Sequence, residues 1–298
     1  MTATPHARPA PRRALAPAAL RGSLLGRAWP LRRSRIGWAL VLLVLLVAFV
    51  GPYLAPFSPT EFVGAPYTAD VAGTLLGTDD LGRDVLTRFL HGGRWLLALA
   101  AAATVLGVGV GAAVGLLAGY RRGVLDEVLM RSSDVLLAFP QVVIALLFLA
   151  ALGPQKWLLV LLVAVGHAPR VARVVRGAAL SVVGRDFVEA SESAGTPVRT
   201  ILRREVLPNV TGTLMVELGL RLTYSIGILA GLSFLGLGLQ PPAADWGLMI
   251  NQNRIALTVQ PWSVVLPVAA IAVLTIGTNL ITDGLARASA GLDQGVQS

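Results

Sequence analysis

The chain has 298 residues, of which 55% are hydrophobic and 14% charged, and it contains no cysteine. An ordinary soluble domain carries about 25% charged residues, so this composition excludes a typical soluble enzyme and points to a chain that crosses a membrane several times. Disulfides, iron–sulfur clusters, thiolate metal sites and a cysteine nucleophile are excluded, and three scattered histidines, His6, His91 and His167, do not make a metal site.

The net charge of +9 is concentrated at one end, because residues 1–35 hold eight arginines and no acid. This alanine- and proline-rich stretch reads as a disordered basic tail against anionic membrane lipid on the cytoplasmic side. It lacks the aromatic interleaving or helix-turn-helix pattern of a nucleic-acid binder. The first apolar segment, Ile36–Leu54, has the basic flank of a signal peptide, but Tyr53-Leu54-Ala55-Pro56 is a poor cleavage site and the segment reads as an uncleaved anchor. Residues 55–94 then carry five acids against three arginines, which places them outside.

The second apolar segment, Trp95–Gly119, carries Gly107, Gly111, Gly115 and Gly119 at a spacing of four. On a helix that spacing is one face, a groove that lets another helix approach closely. The pattern suggests packing against a second, different chain, with an internal helix as the alternative. The third segment is Val135–Leu152, ended by Gly153-Pro154-Gln155-Lys156. The fourth, Trp157–Ala178, is densely apolar only to Val165 and then meets His167, Arg170, Arg173 and Arg176, so it reads as a helix leaving the bilayer on its basic end. Residues 166–209 hold seven arginines against four acids and belong inside. The fifth and sixth segments are Val210–Leu235 and Val264–Ile281, and six crossings return both termini to the cytoplasm.

Only Glu217 and Arg221 are ionisable groups lying clearly within a span. Four residues apart, they share a helix face and can pair, either fixing packing or lining a solute path. No G-x-x-x-x-G-K-[ST] loop, G-x-S-x-G elbow or H-E-x-x-H motif is present. A membrane enzyme would need a convergent acid–base or metal set, which is missing. A self-contained ion-coupled transporter would show inverted repeats with broken helices, and none is clear. If the chain moves a solute against a gradient, either an ion drives it or another subunit supplies the energy.

The cytoplasmic stretch from Gly184 to Asn209 reads as two short helices. Gly195 is a left-handed stop for the first. Thr196 is expected to cap the second, with Pro197 in its first turn, and Pro208 to end it. A helix–turn–helix protruding from a membrane protein is a docking shape.

This stretch resembles the EAA loop of ABC-importer permeases, through Glu189-Ala190, Gly195 and Leu207-Pro208 at the family's spacing, with Ser191 where alanine is expected and Glu205 where isoleucine is frequent. Three further stretches are similar to the dipeptide/oligopeptide/nickel permeases: Leu76-Gly77-Thr78-Asp79-Asp80-Leu81-Gly82-Arg83-Asp84, Asp134 to Pro140, and Leu232-Ser233-Phe234-Leu235-Gly236-Leu237-Gly238-Leu239-Gln240-Pro241-Pro242 with Asp245-Trp246-Gly247. The resemblance covers about residues 30–287, and is to the C-type subunit. An acid common in that family three positions before Leu232-Ser233-Phe234 is replaced by Leu229.

The resemblance implies an all-α membrane protein with six transmembrane helices and the type I ABC importer permease fold. The division expected is a tail over residues 1–35, a first helix and extracytoplasmic segment over 36–94, a transmembrane domain over 95–287 containing a coupling loop at 182–209, and a C-terminal tail over 288–298. It implies half of a transmembrane pathway for di- or oligopeptides in a bacterial inner membrane, or for nickel chelates or another small solute. The implied partners are a second, different permease subunit, two ABC ATPase subunits and an extracytoplasmic solute-binding protein, with no nucleic acid. The chain itself would need no cofactor or metal and catalyse nothing. Glu189, Ala190, Gly195, Leu207 and Pro208 would shape the coupling element.

Overall fold

The computed structural model of the protein describes residues 32–290; most of the basic N-terminal tail and most of the expected C-terminal tail lie outside them. Ten helices organise the described residues. They are α1 (Arg32–Phe49, followed by a single turn at Gly51–Leu54), α2 (Val85–Arg121), α3 (Gly123–Ala138), α4 (Gln141–Leu152), α5 (Lys156–Val183), α6 (Asp186–Ser193), α7 (Val198–Ile201), α8 (Leu207–Phe234), α9 (Trp246–Asn253) and α10 (Trp262–Ala290). Among the described residues, only two isolated β-bridges, Phe62 with Arg83 and Thr78 with Asp84, depart from this all-helical plan.

Six apolar segments do not become six equivalent spans. Four helices are long and apolar enough to cross a membrane: Val85–Arg121, Lys156–Val183, Val198–Phe234 and Trp262–Ser289. The expected third span, Val135–Leu152, is two helices bent by 75°. The cause is Pro140, which forces its predecessor out of the helical region; Phe139 is extended, with φ −96° and ψ 137°. The first segment is helical, but α1 is continuous only to Phe49. From Ile36 that reaches about 21 Å, against about 30 Å of hydrocarbon.

The core lies where α1, α2, α4, α5, α8, α9 and α10 meet, around Leu96, Leu149, Leu159, Ile226, Leu274 and Trp246. Trp246 is fully buried, stacks on Phe89 with ring centroids 5.7 Å apart, and donates its indole N–H to Phe89 O at 2.9 Å. The arginines on the basic half of α5 find partners on α3 and α4, with Arg170 and Arg173 still exposed. Arg176 pairs with Asp126, Arg173 with Asp134, and Arg170 donates to Gln141 Oε1 at 3.0 Å.

One end of α2 carries an irregular layer built from residues 55–84 and 236–261. Its centre is Asp79, fully buried, which accepts from Arg83 Nε at 2.8 Å and lies 3.2 Å from Arg88 Nε. Arg83 also reaches Asp80 at 2.9 Å, and burial, then the neighbouring Asp79, raises the pKa of Asp80. Asp80 N–H donates to Asn253 Oδ1 at 3.0 Å, and Gln260 Nε2 donates to Leu76 O at 2.8 Å. Asp84 caps α2 by accepting from Thr87 N–H at 2.7 Å, and Asp245 caps α9 from Leu248 N–H at 3.0 Å. The Asn253 and Gln260 amides tie the two stretches, far apart in sequence, into one cap, while the acids organise each stretch locally.

Candidate coupling loop and solute path

At the opposite end of α2, the chain from Gly184 to Val206 folds into a compact two-helix element. The first turn of α6 carries Asp186 and Glu189, acids that suit the positive end of a helix. Its last turn closes as a Schellman motif: Thr196 N–H donates to Ser191 O at 3.1 Å, and Gly195 N–H to Glu192 O at 2.9 Å. Gly195 has φ +74°, a conformation that glycine adopts without steric cost.

The second helix departs from expectation at both ends. Pro197, not Thr196, occupies the N-cap position of α7, and no side chain caps it. Pro208 does not stop the helix. Residues Leu202–Val206 widen into a π turn, with Leu207 N–H donating to Leu202 O, and the helix continues as Val198–Phe234. In an α register the Pro208 ring would press on the carbonyl four residues back. A π turn just before it relieves that register at the cost of one extra residue.

An apolar cluster seats this element on the ends of the long helices. Val188, Ile201 and Val206 are all fully buried and pack with Ala179, Val182 and Val210. What remains outside is a face with Phe187, Glu189, Ala190 and Gly195 exposed; Leu207 is half-buried and Pro208 exposed. The two departures from the resembling pattern meet in space: Ser191 Oγ donates to Glu205 Oε1 at 2.6 Å.

Gly107, Gly111, Gly115 and Gly119 all face α5 of the same chain. An added Cβ would come 2.9 Å from Ala164 O at Gly107, 2.6 Å from Ala168 O at Gly111, 2.5 Å from Ala172 O at Gly115 and 2.8 Å from Ala179 Cβ at Gly119. The internal helix occupies the groove, and no room remains there for a second chain.

Glu217 and Arg221 pair at 2.9 Å within α8, both buried, with Arg221 5.5 Å from the ring centre of Tyr224. One turn further, on the same face, a polar chain crosses three helices. Thr104 donates its hydroxyl to Ala100 O at 2.7 Å and lies 2.9 Å from Ser225 Oγ. Ser225 then donates to Thr104 and accepts from His167 Nε2 at 3.0 Å. In the neutral ring this leaves Nδ1 as an acceptor, and that atom is buried without a partner. The sequence gave a sign of this, since Ser225 follows Arg221 by four; nothing local joined it to His167 or Thr104. Among the described residues no group of His, Asp and Glu is arranged to hold a metal ion.

Residues 111–290 match the family described as binding-protein-dependent transport system inner membrane component. The glutathione transport system permease protein of Pectobacterium atrosepticum is 36% identical over 247 residues, 82% of this chain and 82% of that protein. The dipeptide transport system permease protein of Haemophilus influenzae is 33% identical over 261 residues, 85% of this chain and 88% of that protein. In fold, a chain from inward-facing structures of the MetNI methionine ABC transporter superposes with a TM-score of 0.52 at 20% identity, over 66% of this chain and 96% of that one.

Proposed function

This chain belongs to the family of binding-protein-dependent transport system inner membrane components, and on that premise we propose that it forms half of the transmembrane pathway of an ATP-driven importer of di- or oligopeptides. It is a multi-pass membrane transport subunit and not an enzyme. Its partners in this reading are a second, different permease subunit, two ABC ATPase subunits on the cytoplasmic side and a solute-binding protein outside, with both termini of the chain in the cytoplasm.

The observation that carries the reading is the α6–α7 element. Its Schellman closure and buried valines and isoleucine hold it rigidly to the spans, while Glu189, Ala190 and Gly195 stay exposed. That is the form of a surface meant to be pushed by a partner. The peptide assignment is supported by relatives that carry dipeptide and glutathione transport in their names. The chain is to be reconstituted in proteoliposomes with its partner permease, ATPases and binding protein, and uptake of labelled di- and oligopeptides measured. Accumulation should require ATP and the binding protein. ATP-dependent accumulation of a nickel chelate but of no peptide would overturn the substrate class, and accumulation without ATP would overturn the coupling.

A further inference from the structure

At the end of the molecule opposite the coupling loop lies an open cavity of about 510 Å³, within the size range of small-molecule sites. His91, Arg94, Trp95, Lys156 and Gln240 line it together with alanines, prolines and a leucine, and no lining residue is acidic. Lys156 is the only lysine in the chain, and its Nζ sits 3.3 Å from the ring centre of Trp95. Arg94 leans on Tyr53, 5.6 Å from its ring centre. These are neutral aromatic supports that position a cation without cancelling its charge.

The contrast with the surrounding layer gives the cavity its meaning. Arg83 and Arg88, a few residues away in sequence, are matched to Asp79 and Asp80. Among the described residues, none of His91, Arg94 and Lys156 lies in an ion pair. Of the acids of this layer, Asp79, Asp84 and Asp245 are buried, Asp80 pairs with Arg83, Glu61 accepts from Ser58 N–H at 3.0 Å, and neither these nor Asp70 forms an ion pair with Arg94 or Lys156. Gln240 spends its amide N–H groups on Gly236 O and Gly238 O. A concave site with unmatched cations and an aromatic wall is complementary to an anion that a guanidinium can grip with two parallel hydrogen bonds and an ammonium can approach as a point charge.

We propose that this cavity is a carboxylate-binding subsite that receives the C-terminal carboxylate of a peptide-type solute at the outer end of the permease. The naming of the peptide rests on the function proposed above; the affinity for a carboxylate does not. An anionic phospholipid headgroup offers related chemistry and is the competing occupant.

The test uses the assembled transporter in nanodiscs of zwitterionic lipid, with dialanine and dialanine amide as probes read by saturation-transfer NMR. Dialanine should bind and its amide should not. Arg94→Gln with Lys156→Gln should weaken dialanine binding at least about tenfold, the loss expected for a hydrogen bond to a charged group, while partner co-purification and the melting temperature stay unchanged. Arg94→Lys with Lys156→Arg should keep measurable binding. Should the double glutamine variant fail to assemble, Lys156→Gln alone, on an exposed side chain, carries the same comparison. Equal binding of the two probes, or binding unchanged by the glutamine variants, would overturn the proposal. So would displacement of dialanine by anionic phospholipid together with loss of that co-purifying lipid from the variants, which would mark a headgroup site. ATP-driven peptide uptake is measured on the same preparations. Its absence in the wild type would count against the transport reading alone.

Discussion

The layer of residues 55–84 and 236–261 and the α6–α7 element, the proposed coupling element, sit at opposite ends of α2 and are held by different forces. In the layer, buried carboxylates pair with nearby guanidinium groups, and amide hydrogen bonds such as Asp80 N–H to Asn253 Oδ1 join residues far apart in sequence. In the element, a handful of apolar side chains and one Ser–Glu hydrogen bond join residues within a few turns of each other. A buried ionic net tolerates one geometry, because any displaced partner leaves a charge unmatched in a low dielectric. Apolar contacts are less demanding of angle and tolerate small shifts. The layer is therefore held to one geometry by its charges, and the element is seated on the spans by apolar burial alone apart from that one hydrogen bond.

The strongest way to break that contrast is at Asp79. Asp79→Asn leaves Arg88 buried without its acid and takes one of the two acids from Arg83, which keeps Asp80, and removing one partner of a buried pair costs about 3–5 kcal/mol. Purified protein yield and melting temperature should both collapse. A melting temperature near the wild type would show that the net is not what holds the layer.

Between the two ends, Glu217 and Arg221 extend the ionic style into a span. Each single change to glutamine leaves an unpaired charge worth about 2.5–3.5 kcal/mol near a bilayer centre, so both should lower the melting temperature. The double change should restore it. If the pair only fixes packing, transport returns as well; if it faces solute, the stable double variant still transports poorly. Full transport in both single variants would dismiss either role.

At the coupling element the effects are smaller in stability and larger in function. Gly195→Val forces a β-branched residue to a positive φ, at roughly 1–2 kcal/mol, and should misdirect the Schellman turn. Membrane insertion should persist while solute-stimulated ATPase of the reconstituted complex falls. Unchanged stimulation would count against this loop as the coupling element.

The smallest effect is expected at Ser191. Ser191→Ala removes the donor to Glu205, whose other oxygen is already buried without a partner, for about 1 kcal/mol. Amide exchange in α6 should quicken. Adding Glu205→Ile removes the orphaned carboxylate and should slow exchange again; further acceleration would mean that the two residues do not act as a pair.

What the sequence made legible was whatever repeats locally. Apolar runs marked the long helices, the spacing of Gly107 to Gly119 marked a helix contact, and Gly195 marked a turn. The proline rule marks a bend at Pro140, while Leu136, Leu137 and Phe139 keep the run apolar and give it the length of a single span. The π turn before Pro208 was not readable, since an inserted residue leaves no signature in apolar periodicity. Nor were the partners of Arg173 and Arg176, because Asp134 and Asp126 are brought to them only by the packing of α3 on α5. Ser191 and Glu205 each stood out as a departure, and only the fold reveals them as one exchange of apolar contact for a hydrogen bond.

Because the π turn carries the helix through Pro208 unbroken, Val198–Phe234 forms a single rod of 37 residues, about 55 Å from end to end. Its first residues lie against the surface where a motor would press, and its last lie beside Trp246 and the layer of residues 55–84 and 236–261. A rod of that length pivoting near its middle by about 10° swings each end by about 5 Å in opposite directions. Were such a rod to tilt as one body, a push at one end would reach the other as an opposite displacement, with the Glu217–Arg221 pair near the midpoint, where displacement is least.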